Sequence, residues 1–271
     1  MNEADPARPA TLPGATSWRL EIYDELGSTS DLCLERAQAG AAARLGVMAR
    51  RQVRGRGSRG RDWQDPGGNL AFSVLLRPDG AGGWPAGLWP FIAGLAFYDA
   101  LAPWISDPAS LRLKWPNDLL LDGRKAAGIL IESGGEADRW LVIGFGANLR
   151  AAPPIPGRDL ACVAEYGPPP VPEIVAQGIC DGLDRWMAVC GRGGFAPVRQ
   201  AWLEHAHPPG TRLVVRGESG QVEGSFEGLD AQGLLLLRCA DGTRRISAGE
   251  ILLLDRGAMA PPAGDGTAAA T

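Results

Sequence analysis

Between Leu111 and Glu132 the chain writes three short apolar runs separated by two breaks that leave room only for reversals. Leu111–Lys114 runs into Trp115-Pro116-Asn117-Asp118, and Leu119–Leu121 runs into Asp122-Gly123 before Ala126–Glu132. Pro116 fixes the backbone and cannot donate to a ladder, while Asp-Gly is a hairpin-turn pair. The spacing predicts antiparallel strands, with the polar groups of the first turn at a sheet edge facing a pocket. Both lysines of the chain, Lys114 and Lys125, fall in this stretch, and the other 25 of its 27 basic residues are arginine. Lysine offers a compact ammonium on a flexible stem where arginine offers a rigid fork. Keeping lysine here alone points to a need for ammonium geometry, although two lysines can also fall together by chance. Lys114, Lys125 and Asp118 can together hold a triphosphate and its Mg²⁺. Asp118 equally suits a turn-stabilising role, and Trp115 suits simple core packing.

The remaining pattern mixes strands and helices. Trp18–Tyr23, Leu45–Arg50, Leu70–Arg77 and Trp140–Ala147 read as strands. A helix is expected after the cap candidates Ser28, Thr29 and Ser30, ending near Gly40, and another over Pro85–Leu101. Residues 150–172 carry seven prolines and read as a long loop. Helices near Pro172–Val189 and Phe195–Glu204 follow. After Pro208-Pro209-Gly210, five short runs separated by Gly or Asp-Gly turns read as a small β-barrel-like domain. The organisation is therefore a tail at 1–16, a catalytic domain at 17–208, a β domain at 209–256 and a tail at 257–271, both tails read as flexible.

Composition narrows the partners. A net charge of −4 is not that of a protein built to wrap nucleic acid. Five scattered cysteines without a Cys-x-x-Cys pair fit a reducing cytoplasm, and two late histidines argue against a His/Cys metal site. No run of about eighteen apolar residues and no basic-then-apolar leader occurs, so neither a membrane span nor a signal peptide is expected.

The positive charge is concentrated. Arg50, Arg51, Arg54, Arg56, Arg59 and Arg61 lie in a stretch without a carboxylate, and Gly55, Gly57 and Gly60 have Gly-x-Gly-x-x-Gly spacing. A dinucleotide fingerprint would open a helix there, but Asp62-Trp63-Gln64-Asp65-Pro66-Gly67-Gly68 follows instead. What survives is a flexible loop of guanidiniums and free N–H groups suited to phosphate or carboxylate oxygens. Single-stranded nucleic-acid contact and a plain solvated loop are its other readings.

Taken in order, Gly27-Ser28-Thr29, the 52–63 loop, Lys114–Asp118 with Lys125-Ala126-Ala127-Gly128-Ile129-Leu130, and Gly144-Phe145-Gly146-Ala147-Asn148 resemble the biotin–protein ligase family, also called the biotin–[acetyl-CoA-carboxylase] ligases. Gly228-x-Asp230-x-x-Gly233 and Ala248-Gly249-Glu250-Ile251 resemble its C-terminal domain. The likeness spans about residues 17–255. It implies the short form, without the winged helix-turn-helix that lets some members bind DNA. It implies an α+β fold: a mixed central sheet flanked by helices, of the class II aminoacyl-tRNA synthetase-like kind, with a small C-terminal SH3-like β-barrel.

It also implies an activity. Biotin and MgATP give biotinyl-5′-AMP and pyrophosphate, then a lysine of a biotin carboxyl carrier domain attacks the mixed anhydride. Two anions must meet in the first step, so cationic donors are required. The resemblance places Lys125, Asp118 and Arg56 in catalysis, Lys125 bridging the biotin carboxylate and the α-phosphate. It places Ser28, Thr29, Gln52, Gly55, Arg56, Lys125, Gly128, Gly144 and Gly146 around biotin. Arg59, Arg61, Lys114, Asn117, Lys125 and Asn148 fall to the nucleotide, with a possible Mg²⁺ contact near Asp118 and no other metal site. An unperturbed carboxylate near about pKa 4 is a weak base at neutral pH, so orientation is the safer role for Asp118. Members commonly pair through the central sheet and some remain monomeric, so the resemblance leaves a homodimer and a monomer both open. This chain departs from the family at Ser58, usually arginine, at Arg54, commonly alanine, and at Ser30, frequently asparagine. Residues 150–172 hold no tryptophan to stack on adenine. Two competing readings are a lipoate–protein ligase, which needs a long apolar tunnel, and a non-enzymatic RNA-binding protein using the arginine-glycine loop.

Overall fold

A computed structural model describes residues 10–11, 17–78, 86–135, 139–217 and 220–253. Of the two expected tails, only residues 10–11 fall within that range. The strands of the first sheet are β1 (Ala10–Thr11), β2 (Arg19–Leu26), β3 (Leu45–Gln52), β6 (Leu70–Leu76), β7 (Leu111–Lys114), β8 (Asp118–Leu121), β9 (Arg124–Gly134) and β10 (Trp140–Ala147), while β4 (Gly55–Arg56) and β5 (Asp62–Trp63) form a separate two-stranded ribbon. The order across the sheet is β1-β2-β3-β6-β10-β9-β8-β7. Only β2 and β3 run parallel, which makes the sheet mixed as expected.

Alternation sends two apolar sets to opposite faces. One set, including Leu20, Ile22, Phe72, Ile143 and Phe145, packs on α2 (Trp89–Leu101), α3 (Pro172–Gly193) and α4 (Phe195–His205). The other, with Tyr23, Leu45, Val47, Leu75 and Val142, packs on Cys33 and Ala37 of α1 (Thr29–Gln38). Helix α2 buries eleven of its thirteen residues, so it is a core helix and needs no polar face. It begins at Trp89 after a short 3₁₀ turn, with Pro90 in its first turn where the missing N–H costs nothing. Gly182 lets α3 lie against α2, since a Cβ there would stand 2.8 Å from Ala96 Cα.

The second sheet holds β11 (Arg212–Gly217), β12 (Gly220–Leu229), β13 (Leu235–Cys239), β14 (Gly242–Ile246) and β15 (Glu250–Leu253). Its order is β14-β13-β12-β11-β15. This corrects the expected SH3-like β-barrel: β14 and β15 are outer strands that do not pair with each other, so the sheet is open. The reason lies in β14, whose residues Gly242–Arg245 are all exposed and give it no apolar face to fold inward. Arg244 and Arg245 keep that edge charged, a common protection for an unpaired strand. The two sheets share one apolar cluster that includes Leu113 and Trp115 with Leu213, Leu235 and Ile251. Trp115 Nε1 donates to Gly233 O at 3.2 Å across the same junction.

Candidate active site

Small residues facing one another leave a hollow in the first sheet. Gly144 pairs with Ser73 on one side and Leu130 on the other, and Gly146 pairs with Ala71 and Gly128. These positions share the face that carries α1, beyond the part α1 covers. A Cβ on Gly144 would stand 2.6 Å from Ser30 Oγ, and one on Gly146 would stand 2.6 Å from the Trp63 ring. About 460 Å³ of unfilled space lies here, bordered by Thr29, Ser30, Gln52, Ser73, Trp63 and Lys125 among others.

One wall of this hollow is polar and ordered. Gln52 Oε1 accepts from the Thr29 N–H at 2.8 Å and from Thr29 Oγ1 at 3.1 Å. Thr29 Oγ1 and Ser30 Oγ lie 2.8 and 3.0 Å from Ser73 Oγ. Ser28 stands apart: its Oγ accepts the Asp31 N–H at 3.3 Å and caps α1, so Thr29 and Ser30 are the hydroxyl residues that border the space. Gly55 is buried against the Trp63 carbonyl, where a Cβ would come within 2.4 Å.

The 52–63 segment, expected as a flexible loop, is a folded ribbon. β4 pairs with β5, the Gly57 N–H donates to Arg61 O at 2.7 Å, and Arg59 takes a left-handed φ of 60°. Three of its guanidiniums already have partners. Arg56 pairs with Asp31 at 2.8 Å and Glu132 at 2.5 Å, and Arg59 and Arg61 reach Glu250 at 3.5 and 2.7 Å. The Arg61 bond holds the Glu250 carboxyl below the usual carboxylate range.

The charged centre is Asp118, only 14% exposed, between Lys125 Nζ at 2.5 Å and Lys114 Nζ at 2.9 Å. A bulge makes this possible. Asp118 pairs with Gly128 and Leu119 with Ala127, but the register then shifts, so that Leu120 faces Lys125 and Ala126 is the extra residue. Were these residues paired without the bulge, alternation from Gly128 would send Lys125 to the face opposite Asp118. Burial alone would raise the Asp118 carboxyl, but the ammoniums of Lys125 and Lys114 outweigh it and hold the group below the ordinary range. Both oxygens are taken by ammoniums, so as it stands this carboxylate does not fit the expected Mg²⁺ contact. Among the described residues, no group of three or more His, Cys, Asp or Glu is placed to hold a metal ion.

Two further hollows adjoin the first. One, of about 480 Å³, is bordered by Trp63, Asn148, Pro153, Ile155 and Arg158 among others. The other, of about 690 Å³, is bordered by Lys114, Asp118, Arg61 and residues of β15. Lys125 borders all three, with its Nζ 6.0 Å from the Trp63 ring centre. Asn117 borders the first and donates to Ile129 O at 2.7 Å. Arg59 borders none of them. Asn148 Oδ1 and Trp63 Nε1 are buried without hydrogen-bond partners among the described residues. Sequence reading passed over Ser73 and gave Trp63 no place beside biotin or ATP. A hydroxyl inside the otherwise apolar, fully buried run Leu70–Leu76 was the available signal for Ser73.

A hollow with convergent hydrogen-bonding groups is thus joined through one lysine to a second space lined by charged side chains. The profile of the Biotin/lipoate A/B protein ligase family matches residues 26–148, and that of the Biotin protein ligase C terminal domain matches residues 212–254. The biotin–[acetyl-CoA-carboxylase] ligase of Paracoccus denitrificans is 40% identical over 218 residues, covering 76% of this chain and 88% of that one. The corresponding ligase of Mycobacterium tuberculosis is 32% identical over 257 residues, covering 91% and 94%. The solved biotin protein ligase from Aquifex aeolicus in complex with biotin and ATP superposes with a TM-score of 0.74 at 26% identity, covering 86% and 97%. The chain belongs to the biotin–protein ligase family.

Proposed function

We propose that this chain attaches biotin to a lysine of a biotin carboxyl carrier domain, at the expense of ATP and through biotinyl-5′-AMP. The observation that carries the reading at residue level is Lys125, whose ammonium stands where the three hollows meet. In the first step a biotin carboxylate oxygen attacks the α-phosphorus and pyrophosphate leaves. Lys125 lowers the repulsion between the two anions and follows the developing charge. Asp118 sets its position through the 2.5 Å bond. The Thr29–Gln52–Ser73–Ser30 wall takes the ureido ring, and glycines 128, 144 and 146 let the ring approach the sheet. Asn148 and Trp63, each with a buried polar atom that has no partner among the described residues, border the second hollow, which suits ribose and adenine. Arg61 and Lys114 face the phosphates from the third.

In the second step the carrier amine attacks the acyl carbon and AMP leaves. Asp118, held ionised by its ammoniums, is too weak a base to take the amine proton and serves to orient it. The chemistry belongs to residues 17–208, with 209–256 closing the phosphate side through Glu250 and Lys114. Among the described residues no helix is long and apolar enough to cross a membrane, and the five cysteines are free. A cytoplasmic location and pairing of two copies through the central sheet complete the reading.

Pyrophosphate release with biotin or lipoate, with and without a carrier domain, tests it. Release is expected with biotin and not with lipoate, and Lys125→Ala should lower it by about 100-fold or more, the size of losing one preorganised donor. Near-wild-type release in that variant would refute the assignment.

A further inference from the structure

The segment after β10 carries a guanidinium that the mechanism above leaves idle. The Arg158 N–H donates to Ile155 O at 3.1 Å, and Gly157, at φ +73°, turns the chain so that Arg158 follows the bend. Just beyond, the segment is fastened to β9. Leu160 bridges Lys125, the Ala161 N–H donates to Lys125 O at 3.0 Å, and Arg124 Nη1 donates to Leu160 O at 3.3 Å. Arg158 therefore lies two residues from a backbone bridge to the catalytic lysine. Its side chain borders both the second and the third hollow.

Its electrostatic situation differs from that of its neighbours. Arg56 is paired with Asp31 and Glu132, Arg59 and Arg61 share Glu250, and the two lysines share Asp118. Arg158 has no ion pair among the described residues. The third hollow is bordered by the cations Arg61, Lys114, Lys125 and Arg158. Its carboxylates are Asp118, Asp159 and Glu250. Of these cations, Arg61, Lys114 and Lys125 already face carboxylates at 2.7, 2.9 and 2.5 Å, which leaves the Arg158 guanidinium available to an incoming phosphate. Ser58, uncharged, borders the first and second hollows from the ribbon.

We propose that Arg158 is a phosphate-binding residue for the nucleotide, supplying from the post-β10 segment the guanidinium that the ribbon lacks at Ser58. The assignment rests on the biotin–protein ligase reading of the same site. A planar fork can grip two phosphate oxygens at once, which an ammonium in its place would not. Because Arg158 is exposed and makes no internal ion pair, its removal should leave the fold intact.

The test compares wild type, Arg158→Ala, Arg158→Lys and Arg158→Ala combined with Ser58→Arg. ATP affinity is read by calorimetry, with and without biotin, and KM for ATP by pyrophosphate release. Biotin affinity, KM for a carrier domain and thermal unfolding are measured alongside. Arg158→Ala should raise the ATP Kd and KM about tenfold or more, with biotin affinity and melting temperature unchanged. Lysine should restore part of the loss, and Ser58→Arg in the alanine background should restore more. Unchanged ATP affinity and KM would overturn the proposal, as would a rise confined to the carrier-domain KM, which would make Arg158 a docking residue. If wild type bound ATP but released no pyrophosphate with biotin, the ligase reading would fail, and Arg158 would still be judged on ATP affinity alone.

Discussion

Replacing Asp118 by asparagine probes the charged centre directly. The carboxylate accepts from Lys125 at 2.5 Å and Lys114 at 2.9 Å, whose side chains are 26% and 13% exposed. Each charge-assisted bond contributes about 1.5–3 kcal/mol when protected from water. The amide retains one weaker acceptor, and both ammoniums recover some hydration through their exposed fraction. A net loss of about 2–3 kcal/mol follows, which for a domain of this size lowers Tm by roughly 5–10 °C. The acid limb of the stability curve gives a second readout. Because the folded carboxyl titrates below its unfolded value, its stabilisation is present above about pH 4 and is lost as pH falls through the folded value. Asp118→Asn should flatten that limb. The assay is urea unfolding from pH 7 to pH 2.5, together with the double variant carrying Lys125→Ala. Coupled residues should fall short of additivity by about 1 kcal/mol or more. Additive effects, or a single-variant loss below about 0.5 kcal/mol, would refute the account of Asp118 as the brace between the lysines.

Other expectations follow from the same geometry. Gly146→Ala drives a Cβ to 2.6 Å from the Trp63 ring, so biotin affinity should fall about tenfold, measured by calorimetry, with adenylate leaking faster from a displaced ring. Ser58→Arg in the otherwise wild-type chain should slow release of biotinyl-AMP several-fold, as read by trapping the free adenylate. His207 is buried, Lys114 and Arg112 add repulsion, and its imidazole is pushed down to about 4. The unfolded chain then binds the extra proton between about pH 6.5 and pH 4, so stability falls as pH drops through that window, by about 3 kcal/mol in all. His207→Gln should remove most of that dependence in urea titrations.

Much of the first sheet was legible because its signals are local. The Asp122-Gly123 turn, the run Leu70–Leu76 and the alternation of Trp18–Tyr23 each determine a strand without outside help. Helix α1 was legible from its Ser28 cap and from Gly40, whose φ of 79° suits glycine. The open second sheet was not, because five short runs with turns are compatible with either closure or opening. What decides between them is how many inward apolar residues the last strands carry. At the site, the glycines and lysines stood out as residue types. Ser73 did not, because its importance comes from meeting Thr29 and Ser30 across 43 or 44 residues of chain. Likewise, nothing in the run Arg124–Gly134 announces that one residue is supernumerary.

That supernumerary residue has a consequence for how the chain can vary. Pairing the same residues without the bulge would give an unbroken ladder between β8 and β9 and would improve the sheet as a sheet. That pairing would set Lys125 opposite Leu121, away from Asp118 and toward the apolar layer beneath. Register in this hairpin is therefore set against its own backbone ladder, in favour of the contact between Lys125 and Asp118.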